Sequence, residues 1–261
     1  MDIKKMASRV AHLAGVVMVP EWRAVRLHEE RLLARLLAHL NVDCVFDIGA
    51  NVGQYGRMLR EYVGYRGLII SFEPNPAALE KLRKASFGDP LWHIEPIALG
   101  GTAGKFQFHA YELSELGSFR SFSESHHAPQ RLGARFIDVE VRTLADFLPE
   151  ALRRWVFERP FLKMDTQGFD LEVAKGAGNT IRQFLGLQSE IAFQTRYEGA
   201  PDYRSALTTY QDLGFTISGL VPIHEIHFPE LVEMDVIMVR SDLIKRRQPE
   251  PTDFSRSALT K

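Results

Sequence analysis

Asp47, Gly49, Asn51 and Gly53 fall in one short stretch, and an acid, Glu73, follows one strand later. The segment Val45-Phe46-Asp47-Ile48-Gly49-Ala50-Asn51-Val52-Gly53-Gln54-Tyr55 reads as a buried strand, a glycine turn and a helix start. Leu68-Ile69-Ile70-Ser71-Phe72-Glu73-Pro74 reads as a second buried strand ending in a carboxylate. Glycines let backbone approach a ligand, and an acid at the next strand end accepts from two ribose hydroxyls. This chemistry is nucleoside binding. A dinucleotide turn, G-x-G-x-x-G, would place glycine at position 51, where backbone must touch a pyrophosphate; this chain has Asn51. The expected ligand is a nucleoside without a pyrophosphate, and S-adenosylmethionine is the common candidate. The expected contacts are Asp47, Gly49, Asn51, Gly53, Glu73 and Pro74, with Ala98 after a third strand and Asp165 at the end of the strand near 160–165. A Cβ at the turn glycines is expected to strike the ligand. The helix from Gln54 is expected to point free N–H groups at its carboxylate.

A second set of residues could move protons. In Lys163-Met164-Asp165-Thr166-Gln167-Gly168-Phe169-Asp170, charges crowd the end of the apolar strand Phe161–Met164. Burying charge is costly, so the cluster needs a reason. Asp165 is the first candidate for general base, with His224 and His227 as further catalytic candidates. Lys163 is expected to pair with a carboxylate. Asp165 and Glu190 are the candidate ligands for a divalent metal. Ser118, His127 and Tyr197 are the candidate substrate contacts. Phe106, Phe108, Tyr111, Phe119 and Phe122 could stack on a sugar or pack a hairpin core.

The bulk composition narrows the classes. Lys plus Arg is 32 against 33 for Asp plus Glu, which gives no electrostatic reason to expect nucleic acid. One cysteine, Cys44, excludes an internal disulfide and a Cys-cluster metal site. It starts the first strand and reads as core packing. No apolar run reaches membrane-span length, and His12 interrupts the run that most resembles a leader. These features suggest a cytoplasmic protein.

The elements that must position these residues alternate. Strands are predicted near 43–48, 67–72, 92–97, 136–142, 160–165, 187–193, 215–220 and 233–239. Helices are predicted near 54–63, 76–86, 143–153, 170–183 and 203–213. This is α/β: a Rossmann-like, mostly parallel sheet with an antiparallel last strand and helices on both faces. Such sheets bind ligands at strand carboxyl ends. Residues 1–40 read as an N-terminal helical extension, 41–243 as the main domain and 244–261 as a flexible tail. The N-terminal helices could pack on the domain, cover the site or form a homodimer contact. A short hairpin near 104–111 and a long polar loop interrupt the alternation.

With these segments in place, the chain resembles the FkbM-type family of S-adenosylmethionine-dependent methyltransferases from roughly Val42 to Arg240. Phe46–Gly53 and Phe72-Glu73-Pro74 are similar to its cofactor motifs. Ala98-Leu99-Gly100, Val141–Asp146, Lys163–Asp170, Glu190, Tyr197-Glu198-Gly199, Gly214-Phe215 and the strand entered at Asp235 follow in the family's order. The resemblance implies a class I methyltransferase fold and O-methylation of a hydroxyl on a sugar, glycan or natural product. Gln167 departs from it, standing where the family often has Glu. An amide neither takes a proton near neutral pH nor carries charge, so more weight falls on Asp165. Two other readings share these features: a nicotinamide-dependent oxidoreductase, and a non-catalytic cofactor-binding protein.

Overall fold

The computed structural model describes residues 21–111, 117–122, 135–194, 196–223 and 229–244. His127, His224, His227, the helix expected before Pro20 and the tail beyond 244 lie outside the described residues.

Three strands form the sheet's centre: β1 (Cys44–Ile48), β2 (Leu68–Phe72) and β7 (Pro160–Met164), each buried at every position. Strands covered on both faces are mostly apolar, and each of these three carries a single buried polar residue, Asp47, Ser71 and Lys163. The others, in chain order, are β3 (Trp92–Glu95), β4 (Ala98–Leu99), β5 (Gly104–Ala110), β6 (Arg135–Arg142), β8 (Gly186–Ala192), β9 (Phe215–Ile223) and β10 (Glu233–Arg240). The main sheet runs β3-β2-β1-β7-β8-β10-β9. Pairs from β3 to β8 are parallel, and β10 is antiparallel to both neighbours, as expected for the closing strand. Strand order reverses between β1 and β7, so a crevice opens at their carboxyl ends.

The helices are α1 (Glu21–His39), α2 (Gln54–Met58), α3 (Pro76–Ser86), α4 (Leu144–Arg154), α5 (Asp170–Ala177) and α6 (Tyr203–Asp212). Their starts are written in the sequence. Asn75 caps α3, its side chain accepting from the Ala77 amide, with Pro76 opening the helix. Thr143 and Asp202 cap α4 and α6 in the same way. On one sheet face, Leu33, Leu36 and Leu37 of α1, with Leu40 just beyond it, are buried against Val45, Ile69, Phe161 and Ile237. That stripe of α1 therefore packs on its own chain. On the other face, Phe46, Phe72, Phe147 and Phe184 form an aromatic core with mostly edge-to-face contacts. Cys44 is buried in this core.

Three local readings need correction. The expected hairpin at 104–111 is a single strand, β5, whose partner β6 comes after the polar loop. Together with β4 they make a separate three-stranded sheet, so β6 is not part of the main one. Alternation alone cannot distinguish a strand of one sheet from a strand of another. The helix expected over 54–63 is one α turn, α2, followed by a π-helical turn at Leu59–Val63.

Candidate active site

A cavity of about 610 Å³ opens at the carboxyl ends of β1, β2 and β7. Its walls include Ile48–Asn51, Phe72–Pro74, Ala98, Leu99, Phe108, Phe119 and Asp165–Gln167. Its far side carries Arg26 and Glu29 from α1, Tyr55, Gln188, Glu190, Arg196, Val221–Ile223 and Asp235.

The Gly49–Gly53 turn is fixed by its own protein neighbours. A Cβ on Gly49 would collide with the Asp165 carbonyl oxygen, and φ there is +77°. A Cβ on Gly53 would press on Leu82, Ala85 and Trp92. The sequence reading assigned both glycines to ligand clearance; in the structure they clear chain against chain. The short α2 is capped by Gly53 in the left-handed region, with no side-chain cap. Asn51 is also left-handed, at φ +47°, a conformation Asn tolerates better than most residues.

Glu73 is buried at the end of β2 and accepts two backbone amides, from Asn51 at 2.8 Å and Asn75 at 2.7 Å. Burial outweighs these hydrogen bonds and pushes its carboxyl up to about 7. Each carboxylate oxygen keeps a further lone pair for a ligand hydroxyl. The Asn51 Oδ1 is buried with no hydrogen-bond partner among the described residues, although Asn51 lines the cavity. A buried acceptor without a donor is costly, and a ligand donor would satisfy it.

Asp47 lies beneath the cavity rather than on its wall. It is wholly buried, paired with Lys163 Nζ at 3.0 Å, and accepts from Ser71 Oγ at 3.0 Å. Ser71 in turn accepts from Trp92 Nε1 at 2.9 Å. Lys163 also donates to the Gly49 carbonyl at 3.2 Å, which ties β7 to the turn. Burial would lower the Lys163 ammonium; the Asp47 charge and then Asp165 outweigh it and hold it above its usual value. Lys163 thus pairs with a carboxylate, as expected. Asp47, expected to contact the ligand, instead pairs with the lysine that holds the Gly49 turn.

Asp165 stands 3.7 Å from Lys163 and lines the cavity. Gln167, left-handed at φ +52°, donates its amide to Asp165 at 3.0 Å and to Glu190 at 3.2 Å. Its Oε1 accepts from Tyr197 at 2.8 Å. Ser118 is fully buried and donates to the Gln167 carbonyl at 2.9 Å. Arg120 holds the Gly168 and Glu198 carbonyls. Ser118 and Tyr197, expected to touch substrate, therefore lie behind the cavity wall and fix the loop that forms it. Among the aromatic candidates, Phe108 and Phe119 pack edge to face at 5.1 Å and line the cavity. Among the described residues, no group of three or more His, Cys, Asp or Glu is arranged to hold a metal.

The sequence reading singled out Glu190 but missed the rest of the far wall. Glu29 accepts from Gln188 Nε2 at 2.8 Å, and Tyr55 donates to Gln188 Oε1 at 3.0 Å. Asp235 sits directly across from Glu190 in the β10–β8 register. Burial first, then Glu29 and Asp165, raise Asp235 well above the carboxylate range; burial also raises Glu29, against the Gln188 hydrogen bond. The available signal for Asp235 was an acid inside an apolar strand, Met234-Asp235-Val236. Nothing in the sequence of α1 singles out Glu29.

The sheet order, the antiparallel closing strand and a crevice at the switch point define the class I methyltransferase fold. Residues 47–217, more than half of the chain, match the methyltransferase FkbM domain, and the chain belongs to that family. No curated protein matches it. Among solved structures it is similar to cofactor-bound Rv0187 from MTB, at 14% identity and TM-score 0.46, covering 92% of this chain and 91% of that one. It is also similar to Aeropyrum pernix fibrillarin with natively bound S-adenosyl-L-methionine, at 16% identity and TM-score 0.42, covering 82% and 76%. An rRNA methylase from Streptococcus thermophilus gives 11% identity and TM-score 0.42, covering 82% and 94%.

Proposed function

We propose that this methyltransferase uses S-adenosylmethionine to methylate a hydroxyl on a sugar, glycan or natural product. Family membership supplies the methyltransferase part of this reading. The observation that carries the cofactor is the pairing of a buried Glu73, its two oxygens oriented by backbone amides, with the unpartnered Asn51 Oδ1 on the same wall. Glu73 would take the ribose hydroxyls. Ala98, Leu99, Phe108 and Phe119 offer an apolar seat for adenine, and Asp165 offers a carboxylate to the ammonium. When bound, the cofactor supplies a methyl carbon on a sulfonium whose C–S electron pair leaves with sulfur.

The chain's own contribution is to bind, align and deprotonate the acceptor. A sugar hydroxyl is a weak acid and needs a proton acceptor nearby. Asp165, Glu190, Glu29 and Asp235 line the cavity as carboxylates able to hydrogen-bond hydroxyls. The α1 wall, with Arg26 and Glu29, covers the acceptor side; this supports a role for the helix in acceptor choice. Asn51 in place of the second dinucleotide glycine disfavours the nicotinamide reading.

The test is incubation with S-adenosylmethionine and a panel of monosaccharides, glycosides and phenols, with S-adenosylhomocysteine release and product mass as readouts. O-methylated product from at least one hydroxyl class is expected. Methylation confined to amines, or no product across the panel while S-adenosylhomocysteine binds, would overturn the acceptor assignment.

A further inference from the structure

The family domain matches residues 47–217, and two acids of the cavity wall lie outside it, Glu29 before and Asp235 after. Glu29 comes from α1 and Asp235 from β10. Gln188 of β8, inside the matched region, holds both. Its Nε2 donates to Glu29 at 2.8 Å, and the same side chain hydrogen-bonds Asp235. Its Oε1 accepts at 3.0 Å from Tyr55, on the short helix that follows the Gly49–Gly53 turn. The orientation of Gln188 is dictated by chemistry: two carboxylates need donors, and only the NH₂ end supplies two. Gln188 and Tyr55 are buried, so the two acids stand on a fixed mount.

Glu29 and Asp235 are themselves only half-buried, and both line the cavity. A carboxylate has room for several donors, and Gln188 takes up only part of that capacity. The rest faces the cavity, where an acceptor-only wall selects for ligands that donate. Hydroxyls and ammonium groups both do. Arg26 stands one turn before Glu29 on α1, and its charge and that of Lys163 act on Glu29; Lys163 also acts on Asp235. Positive charge is therefore already supplied beside these acids. Neutral hydroxyls gain hydrogen bonds here without meeting those cations as like charges.

We infer that Glu29 and Asp235 determine acceptor specificity: together they bind two hydroxyls of a neutral polyol acceptor, hydroxyls that are not themselves methylated. Gln188 and Tyr55 are the positioning residues that mount them. The inference rests on the methyltransferase reading above and adds the part of the acceptor site that the matched family domain does not contain. It makes α1 a wall of that site as well as a cover for the sheet. A glutamine at position 29 would keep an oxygen on the Gln188 donor and turn its NH₂ toward the cavity, exchanging an acceptor for a donor. The change in size is small, so the exchange isolates the hydrogen bond.

The experiment measures dissociation constants by NMR titration at pH 8, with S-adenosylhomocysteine present. The probes are methyl glucoside, methyl galactoside, methyl mannoside, their monodeoxy analogues and methyl glucosaminide. In wild type, deleting either recognised hydroxyl should weaken binding about tenfold or more. In Glu29→Gln the loss at one of those hydroxyls should shrink to about twofold or less. In Asp235→Asn the loss at the other should shrink likewise, and this variant serves if Glu29→Gln does not fold. Tyr55→Phe, which loosens the mount, should give a loss between wild type and Glu29→Gln. A merely structural role would weaken parent and deoxy glycosides equally and leave their ratio in place. Unchanged ratios in both carboxylate variants, no glycoside bound by wild type, or binding of the amino sugar alone overturns the inference. Calorimetry with S-adenosylhomocysteine on the same samples separates the two claims. No heat, beside a hydroxyl loss that Glu29→Gln abolishes, would sink the cofactor reading and uphold the hydroxyl site. Normal heat with unchanged ratios would sink the hydroxyl site alone.

Discussion

The two sides of the cavity treat buried carboxylates in opposite ways. At the β1–β2 side, Asp47 is matched by Lys163 and Ser71, and Glu73 by two backbone amides. At the β8–β10 side, Glu190 and Asp235 oppose each other across a strand pair, with Glu29 and Glu233 close by. Like charges directly opposite on a sheet destabilise it. The first arrangement stabilises the turn at the β1 end of the cavity. The second opposes folding and is retained where the acceptor is expected. The first side gives its carboxylates a counter-ion and donors, although burial still raises Glu73 and the Asn51 Oδ1 has no partner among the described residues; on the second side like charges meet.

The comparison can be broken first at the frame. Gly49→Ala forces a Cβ against the Asp165 carbonyl at positive φ, so loss of the soluble folded protein is the expected outcome, read by circular dichroism. Lys163→Met strands a wholly buried Asp47 and should cost about 3–5 kcal/mol in chemical denaturation. Both variants attack the satisfied side, and mild effects from both would erase the contrast.

On the other side, substitution should help. Asp235→Asn removes one of the opposed charges and is expected to stabilise by about 1–2 kcal/mol at pH 8. The sign follows from linkage. Asp235, Glu190 and Glu29 are raised above their unfolded values, so the folded state binds more protons than the unfolded one. Their unfavourable contribution grows as pH rises from the ordinary carboxylate range through the raised folded values, and vanishes below it. The gain from Asp235→Asn should therefore shrink by pH 4, measured by thermal unfolding across pH. A destabilised Asp235→Asn at pH 8 would show that the carboxylates support one another.

Much of the frame was legible because burial on both faces leaves a mostly apolar run, and β1, β2 and β7 each have one, broken only by Asp47, Ser71 and Lys163. Glu73 was legible because a carboxylate ending such a strand is conspicuous. Asp47 was placed in the right turn but given the wrong partner. The strand fixes where its side chain emerges; which neighbour it meets depends on Lys163, more than a hundred residues away. Ser118 and Tyr197 were misjudged for the same reason, since the loop they hold becomes visible only after folding. Glu29 was invisible: one acid on a helix of mixed polarity gains meaning only when Gln188 of β8 comes to meet it. The second sheet was missed because pairing across a long loop leaves no mark in local periodicity.

The central claim is that Glu73 is the ribose acceptor of a nucleoside cofactor. Calorimetric titration of S-adenosylhomocysteine into wild type and Glu73→Ala, at pH 8 and pH 6 with NAD as control, tests it most directly. Losing two charge-assisted hydrogen bonds should weaken binding by about 30-fold or more in Glu73→Ala at pH 8. A Glu73 carboxyl near 7 must be ionised to accept from both hydroxyls, so wild-type affinity should fall about tenfold from pH 8 to pH 6, and the variant should show little such dependence. Equal affinity in wild type and variant, or binding of NAD in place of S-adenosylhomocysteine, would contradict the account.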